Sequence, residues 1–304
     1  MTDIATLGRV QHVYDFATLD RVPDGPTSLK VTAKRLLSGP TLQTGKSSTV
    51  GAVLAGSHII TTLGRQARGT GAKAHTHPNE QFNYVLEGTM MGDVEGDRAF
   101  ASRGMILHTP GMAVHTGLAC PDEDLVFLAI KDTRHGIVGP PVDGKYDGPN
   151  CFPGYGSRAH EPPQTTAQAI AESMQLPPGP GRRYVYDMHA PHEGIASGAG
   201  SAVLTPGSAL RLPNGVTGQL LTGELLHVAV LQLAPGAMLG PHAHDNEQLT
   251  FVVEGVVQAR MADSTMEVRE RCLLHVPAGA LHAIAAPRGA TLMIAQDRRC
   301  AFAA

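Results

Sequence analysis

His75-Thr76-His77-Pro78-Asn79-Glu80-Gln81 recurs 167 residues later as His242-Ala243-His244-Asp245-Asn246-Glu247-Gln248. Around these copies residues 69–119 align with 236–286 without a gap, and 15 of the 51 positions are identical, where ordinary composition gives about three. The identities continue through Glu87/Glu254, Gly88/Gly255, His108/His275, Pro110/Pro277 and His115/His282. The chain contains a duplicated module, and the duplication has kept its histidines.

The segments around the repeat have the composition of strands. Residues 82–86 and 249–253 are short β-rich runs, each followed by Glu-Gly (87–88 and 254–255), which predicts a turn. Residues 225–233 form another such run, closed by Pro235-Gly236. Short strands between Gly/Pro turns in a duplicated unit predict an all-β chain of two antiparallel barrels or sandwiches, six to eight strands each.

The 35 Gly and 22 Pro among 304 residues exclude a mostly helical protein. Residues 134–183 hold 17 of them, including Pro177-Pro178-Gly179-Pro180, and mark a connection between modules that should wrap across a barrel surface. Inside it, residues 164–175 form the best helix candidate, with Thr165 or Thr166 as cap. The expected organisation is an N-terminal arm (1–24), a first barrel (25–133), a linker with a short helix (134–197) and a second barrel (198–304).

A net charge of −3 argues against nucleic acid or a membrane surface as partner. No apolar run reaches the length of a membrane span, and residues 1–6 lack the pattern of a secretion signal, so the expected address is the cytoplasm. Cys120, Cys151, Cys272 and Cys300 are scattered without paired spacing and read as reduced packing residues.

In each module His-x-His is followed four residues later by a side-chain amide (Gln81, Gln248), and a third His (His115, His282) comes 40 residues after the first. Histidines at i and i+2 of a strand share a face, so both can reach one cation inside a barrel. The same parity puts Gln81 and Gln248 inside and Glu80 and Glu247 on the opposite face. A lone buried His is ordinarily a hydrogen-bonded core residue, but that does not explain the same set twice at identical spacing. Imidazole donors suit Zn, Fe, Ni, Cu or Mn.

At these residues the sequence resembles the cupin superfamily, specifically the bicupins. The first family motif is matched by Gly69-His75-His77-Gln81-Gly88 and by Gly236-His242-His244-Gln248-Gly255. The second is matched in part, by Gly104, Pro110 and His115 and by Pro277, Gly279 and His282; Met112 and Arg271 replace turn glycines, and Ala119 and Ala286 replace the final Asn. The resemblance implies two RmlC-like jelly-roll barrels in tandem. It also implies one divalent transition metal per barrel, Fe2+ favoured over Mn2+, Ni2+ or Zn2+, on His75, His77, Gln81 and His115 and on His242, His244, Gln248 and His282. Cupins commonly pair through an outer sheet surface, which implies a homodimer.

Many metal-binding cupins carry Glu where this chain has Gln81 and Gln248. The neutral amide leaves the ion its full charge, favours an anionic chelating substrate and removes a carboxylate base. Three functions follow: a non-haem dioxygenase-type oxidoreductase acting on a small organic acid or phenolic compound, a redox-neutral isomerase or lyase, or a non-catalytic binding cupin. Lys73 and Asn83, opposed by Gly240 and Thr250 in the second module, make the first module the expected catalytic one, with Lys73 facing a substrate carboxylate. His108 and His275 read as barrel-wall residues or as partners of the ligands, and Tyr84 and Phe251 as core. Metal binding should weaken below about pH 6, where imidazoles ordinarily protonate.

Overall fold

The structure, a computed structural model, describes residues 10–37, 46–176, 184–189, 202–262 and 264–304. The Pro-rich run 177–180 lies outside them. Barrel 1 is built from two antiparallel sheets. One has seven strands in the order Val185–Asp187, Met105–Thr109, Gln81–Glu87, Leu125–Asp132, Ile59–Gln66, Val53–Ala55, Lys30–Thr32. The other has five: Asn150–Cys151, Thr70–Gly71, His115–Ala119, Thr89–Val94 and Asp97–Ser102. Barrel 2 repeats the plan as one ten-stranded network, because Gln248–Met261 passes from one sheet into the other.

That passage corrects the expected turns at Glu-Gly. The chain does not reverse at Gly88 or Gly255 but crosses a barrel corner. Gly255 has φ +88°, and the pairing register shifts between Val252 and Glu254. At Gly88, φ is +77° and a Cβ would lie 2.5 Å from the Asp124 carbonyl oxygen, so only glycine fits this bend.

The two modules exchange strands. Val13–Asp15, from the N-terminal segment, pairs with Cys272–Val276 of barrel 2, and Val185–Asp187, from the connection, pairs with Met105–Thr109 of barrel 1. Both strands read Val-Tyr-Asp. Each therefore covers a sheet edge of the barrel other than the one it leads into.

Strand parity divides the apolar residues between three cores. Leu125, Phe127 and Ala129 fill barrel 1, and Leu292 and Ile294 fill barrel 2. The alternate positions Val126, Leu128, Ile130, Phe82, Tyr84, Val228 and Phe251 join a third core that both barrels share. The outer sheet faces are thus buried against each other within one chain.

Two buried glutamates lock this interface. The Glu80 carboxylate accepts hydrogen bonds from the backbone N–H of Glu224, Leu225 and Leu226 at 2.7, 2.9 and 3.2 Å, and His108 Nε2 lies 2.9 Å away. Glu247 does the same in reverse, accepting from Ser57, His58 and Ile59 at 2.9, 2.9 and 3.0 Å, with His275 Nε2 at 3.1 Å. Gly56 and Gly223 form the receiving turns, where a Cβ would lie 2.0 Å from the incoming carboxylate. His108 and His275 thus each hold their own barrel's clamp glutamate.

The helix spans Thr166–Gln175 with Thr165 as cap: Thr165 Oγ1 accepts from Gln168 N–H, and Gln168 Oε1 accepts from Thr165 N–H. Its buried face, Ala169 and Ser173, turns toward the outer surface of barrel 1, where Ala169 joins Leu118 and Phe152.

Met112 and Arg271, which replace glycines of the second motif, both adopt left-handed backbone, φ +65° and +62°. Such a conformation costs a residue with a Cβ about 1–2 kcal/mol. Met112 is 62% exposed, so its side chain contributes little packing. Met112→Gly should therefore raise stability in urea by about 0.5–1 kcal/mol after the added chain entropy of glycine is subtracted; a loss would show that the Met112 side chain is held.

Candidate metal centres

The ligand atoms of His75, His77 and His115 lie within 4.8 Å of one another, and so do those of His242, His244 and His282. Pairing brings the distant members together. His75 and His115 exchange backbone hydrogen bonds at 3.0 and 2.9 Å, and His242 stands opposite His282 in register. His75 and His77 themselves sit in irregular chain after the short strand Thr70–Gly71, fixed by isolated bridges.

All six rings are oriented alike. In barrel 1, Nδ1 of His75, His77 and His115 lies 2.7, 3.2 and 3.0 Å from the carbonyl oxygens of Lys73, Asn79 and Ala113. In barrel 2, Nδ1 of His242, His244 and His282 lies 2.8, 2.7 and 3.0 Å from those of Gly240, Asn246 and Ala280. A carbonyl only accepts, so Nδ1 carries the proton and each Nε2 keeps a lone pair aimed at the others. His115 Nε2 and His242 Nε2 are buried without a hydrogen-bond partner. Convergent lone pairs without protons between them are what a divalent cation requires. In barrel 2, Gln248 Oε1 adds a fourth acceptor 3.1 Å from His244 Nε2.

Burial disfavours the charged imidazoles, and the Lys131 charge adds to this in barrel 1: His75 is pushed down to about 4, His77 to about 3 and His115 well below its ordinary value. His282 is likewise pushed by burial to about 4. In barrel 1, where all three imidazoles are shifted down, proton competition with a metal is thereby deferred below the expected pH 6.

Gln81 and Asn83 are buried on the inward face, with Gln81 Nε2 donating to Asn83 Oδ1 at 2.9 Å. They line a cavity of about 60 Å3 together with His75, His115, Lys131 and Phe127, room for about two waters. Lys73 is placed otherwise than its assumed parity implied. Its ammonium bonds Asp147 at 2.6 Å and Asp143 at 2.9 Å, both on the connection that straps the barrel mouth. The chain is irregular at 72–80, so strand parity does not carry that far.

The cation in the cavity is Lys131, which sequence reasoning missed. It is 4% exposed, and its Nζ lies 3.1 Å from His77 Nε2 and donates to the Ile137 carbonyl. Burial pushes its pKa down to about 7 against the pull of Asp132. The signal was present: Lys131 continues the inward series 125, 127, 129 of an otherwise apolar strand. At the corresponding place barrel 2 has Gln296, whose Nε2 donates to Gln248 Oε1 and to the Ala303 carbonyl, both at 2.6 Å. Phe302 and Ala304 pack against the core of barrel 2.

Two jelly-roll barrels, each with a His-x-His…Gln…His set facing inward, define a bicupin, and the chain belongs to the cupin superfamily. The Cupin domain family matches residues 63–131 and 229–294. No curated protein matches the chain by sequence. Among solved structures, a mutant salicylate 1,2-dioxygenase from Pseudoaminobacter salicylatoxidans in complex with gentisate is 16% identical, with TM-score 0.56 over 94% of this chain and 81% of that one. A putative glyoxylate-induced protein from Pseudomonas aeruginosa is 13% identical, with TM-score 0.56 over 89% of both chains. A mutant Bacillus subtilis oxalate decarboxylase is 12% identical, with TM-score 0.53 over 95% and 77%. At these identities the likeness is one of fold. Among the described residues no helix is long and apolar enough to cross a membrane.

Proposed function

We propose that the protein is a metal-dependent cupin enzyme whose first barrel carries the chemistry, acting as a non-haem dioxygenase-type oxidoreductase on a small organic acid or phenolic compound. The observation that carries this reading is a cavity in barrel 1 lined by His75 and His115, whose ligand nitrogens lie within 4.8 Å of that of His77. A divalent ion on His75, His77, His115 and Gln81, Fe2+ by preference, would supply Lewis acidity and open positions for a chelating substrate and oxygen. The chain supplies the rest. Carbonyls of Lys73, Asn79 and Ala113 fix the imidazole tautomers, Asn83 orients Gln81, and Phe127, Met90 and Leu107 make the cavity wall apolar. Among the described residues the lining contains no carboxylate base, so the substrate arrives as an anion. Barrel 2, with its amides saturated by one another, serves as the structural partner.

The test is an oxygen-uptake screen of the Fe2+-loaded protein over small organic acids and phenols. Stoichiometric oxygen consumption supports the dioxygenase reading. Turnover without oxygen assigns an isomerase or lyase instead, and absence of turnover across the screen leaves a binding cupin. The Gln81→Ala variant should lose more activity than Gln248→Ala; the reverse order would place the chemistry in barrel 2.

A further inference from the structure

The cavity of barrel 1 contains a donor that the protein does not satisfy once a metal is in place. Lys131 Nζ has three protons and two acceptors, the Ile137 carbonyl and His77 Nε2. The second acceptor is the lone pair that His77 turns toward His75 and His115, since its Nδ1 proton is already committed to the Asn79 carbonyl. An ion bound to the triad takes that lone pair, leaving the ammonium one acceptor short and close to a second positive charge. Among the described residues no Asp or Glu lines the cavity to offset either charge. The adjacent Asp132 faces away, where it accepts from Glu80 N–H and pairs with Arg134. Barrel 2 shows the complete alternative, because Gln296 gives both its donor bonds to protein acceptors and accepts from Ala303 N–H at 3.2 Å.

Resting on the reading of barrel 1 as a metal centre, we infer that Lys131 is its specificity-determining cation, and that the ligand it selects is a small carboxylate with a neighbouring oxygen, of the 2-hydroxy or 2-oxo acid class. A carboxylate oxygen supplies the acceptor that Lys131 lacks and the negative charge that the cavity lacks. The space of about 60 Å3 suits a ligand of few heavy atoms. Lys131 thereby takes the part that the sequence assigned to Lys73.

The experiment uses the Mn2+-loaded full-length protein, with glycolate and its neutral analogue glycolamide titrated calorimetrically into wild type, Lys131→Gln and Lys131→Arg. Lys131→Gln reproduces the residue that barrel 2 already carries, and a thermal melt checks its fold. Glycolate should bind about 10- to 100-fold more weakly to Lys131→Gln, glycolamide equally to all three, and Lys131→Arg should keep most of the preference for the anion. Equal glycolate affinity in wild type and Lys131→Gln overturns the inference and leaves the metal centre standing. So does an equal loss in Lys131→Arg, because charge would not then be the selecting property. Unchanged Mn2+ content in the His75→Ala, His77→Ala variant removes the metal centre and the inference together.

Discussion

Glu80→Ala should lower the unfolding free energy by about 4 kcal/mol or more, seen as a fall in the urea midpoint or as loss of two-state unfolding. The carboxylate is 1% exposed, accepts from three backbone donors across the barrel interface and pairs with His108 of its own barrel. Its removal leaves four donors without an acceptor, of which Leu226 N–H and His108 are buried, and each buried orphan costs about 1–3 kcal/mol before water enters. Glu247→Ala removes the mirror-related clamp and should cost a similar amount. Glu80→Gln keeps shape and one acceptor oxygen, so it should be milder. A Glu80→Ala protein as stable as wild type would mean that the shared apolar core alone holds the barrels together.

Acid should unfold the metal-free protein well above the usual carboxylate range. His75 and His77 have folded values of about 4 and 3 against an ordinary 6.5. The unfolded chain therefore binds protons that the folded chain refuses. Such groups leave stability intact above pH 6.5 and erode it as pH falls toward 4, at about 1.4 kcal/mol per pH unit for each histidine. The total is on the order of 3 kcal/mol or more for each by pH 4, a large part of an ordinary domain's stability. Glu80 and Glu247 act in the same direction lower down. Burial alone would raise their pKa, but His108 and His275 and the backbone donors hold both below the ordinary carboxyl value. Saturating divalent metal should move the acid midpoint down, since it binds only the folded, deprotonated triads. A midpoint unmoved by metal would contradict the triads as binding sites.

How much of this was legible in the chain depended on distance along it. The repeat and its parity placed Gln81 and Gln248 inside and Glu80 and Glu247 outside, because side-chain alternation is a local property. What Glu80 meets was not legible, since its donors lie some 144 residues away on a turn that only the packing of two barrels brings near. Lys73 failed for a related reason: parity lapses in irregular chain, and Asp143 and Asp147 come from a strap of the connection whose path no local pattern records. The Glu-Gly pairs looked like turns because glycine with positive φ serves a barrel corner and a reversal equally well. Lys131 could have been found by continuing the alternation of residues 125–129 by one step.

The two histidine sets are expected to act as independent metal sites. Metal content by elemental analysis of wild type, the His75→Ala, His77→Ala variant and the His242→Ala, His244→Ala variant tests this most directly. Wild type should hold about two divalent ions per chain and each variant about one, with any oxygen-dependent turnover abolished only in the His75→Ala, His77→Ala protein. Two ions per chain in all three proteins, or none in any, would contradict this.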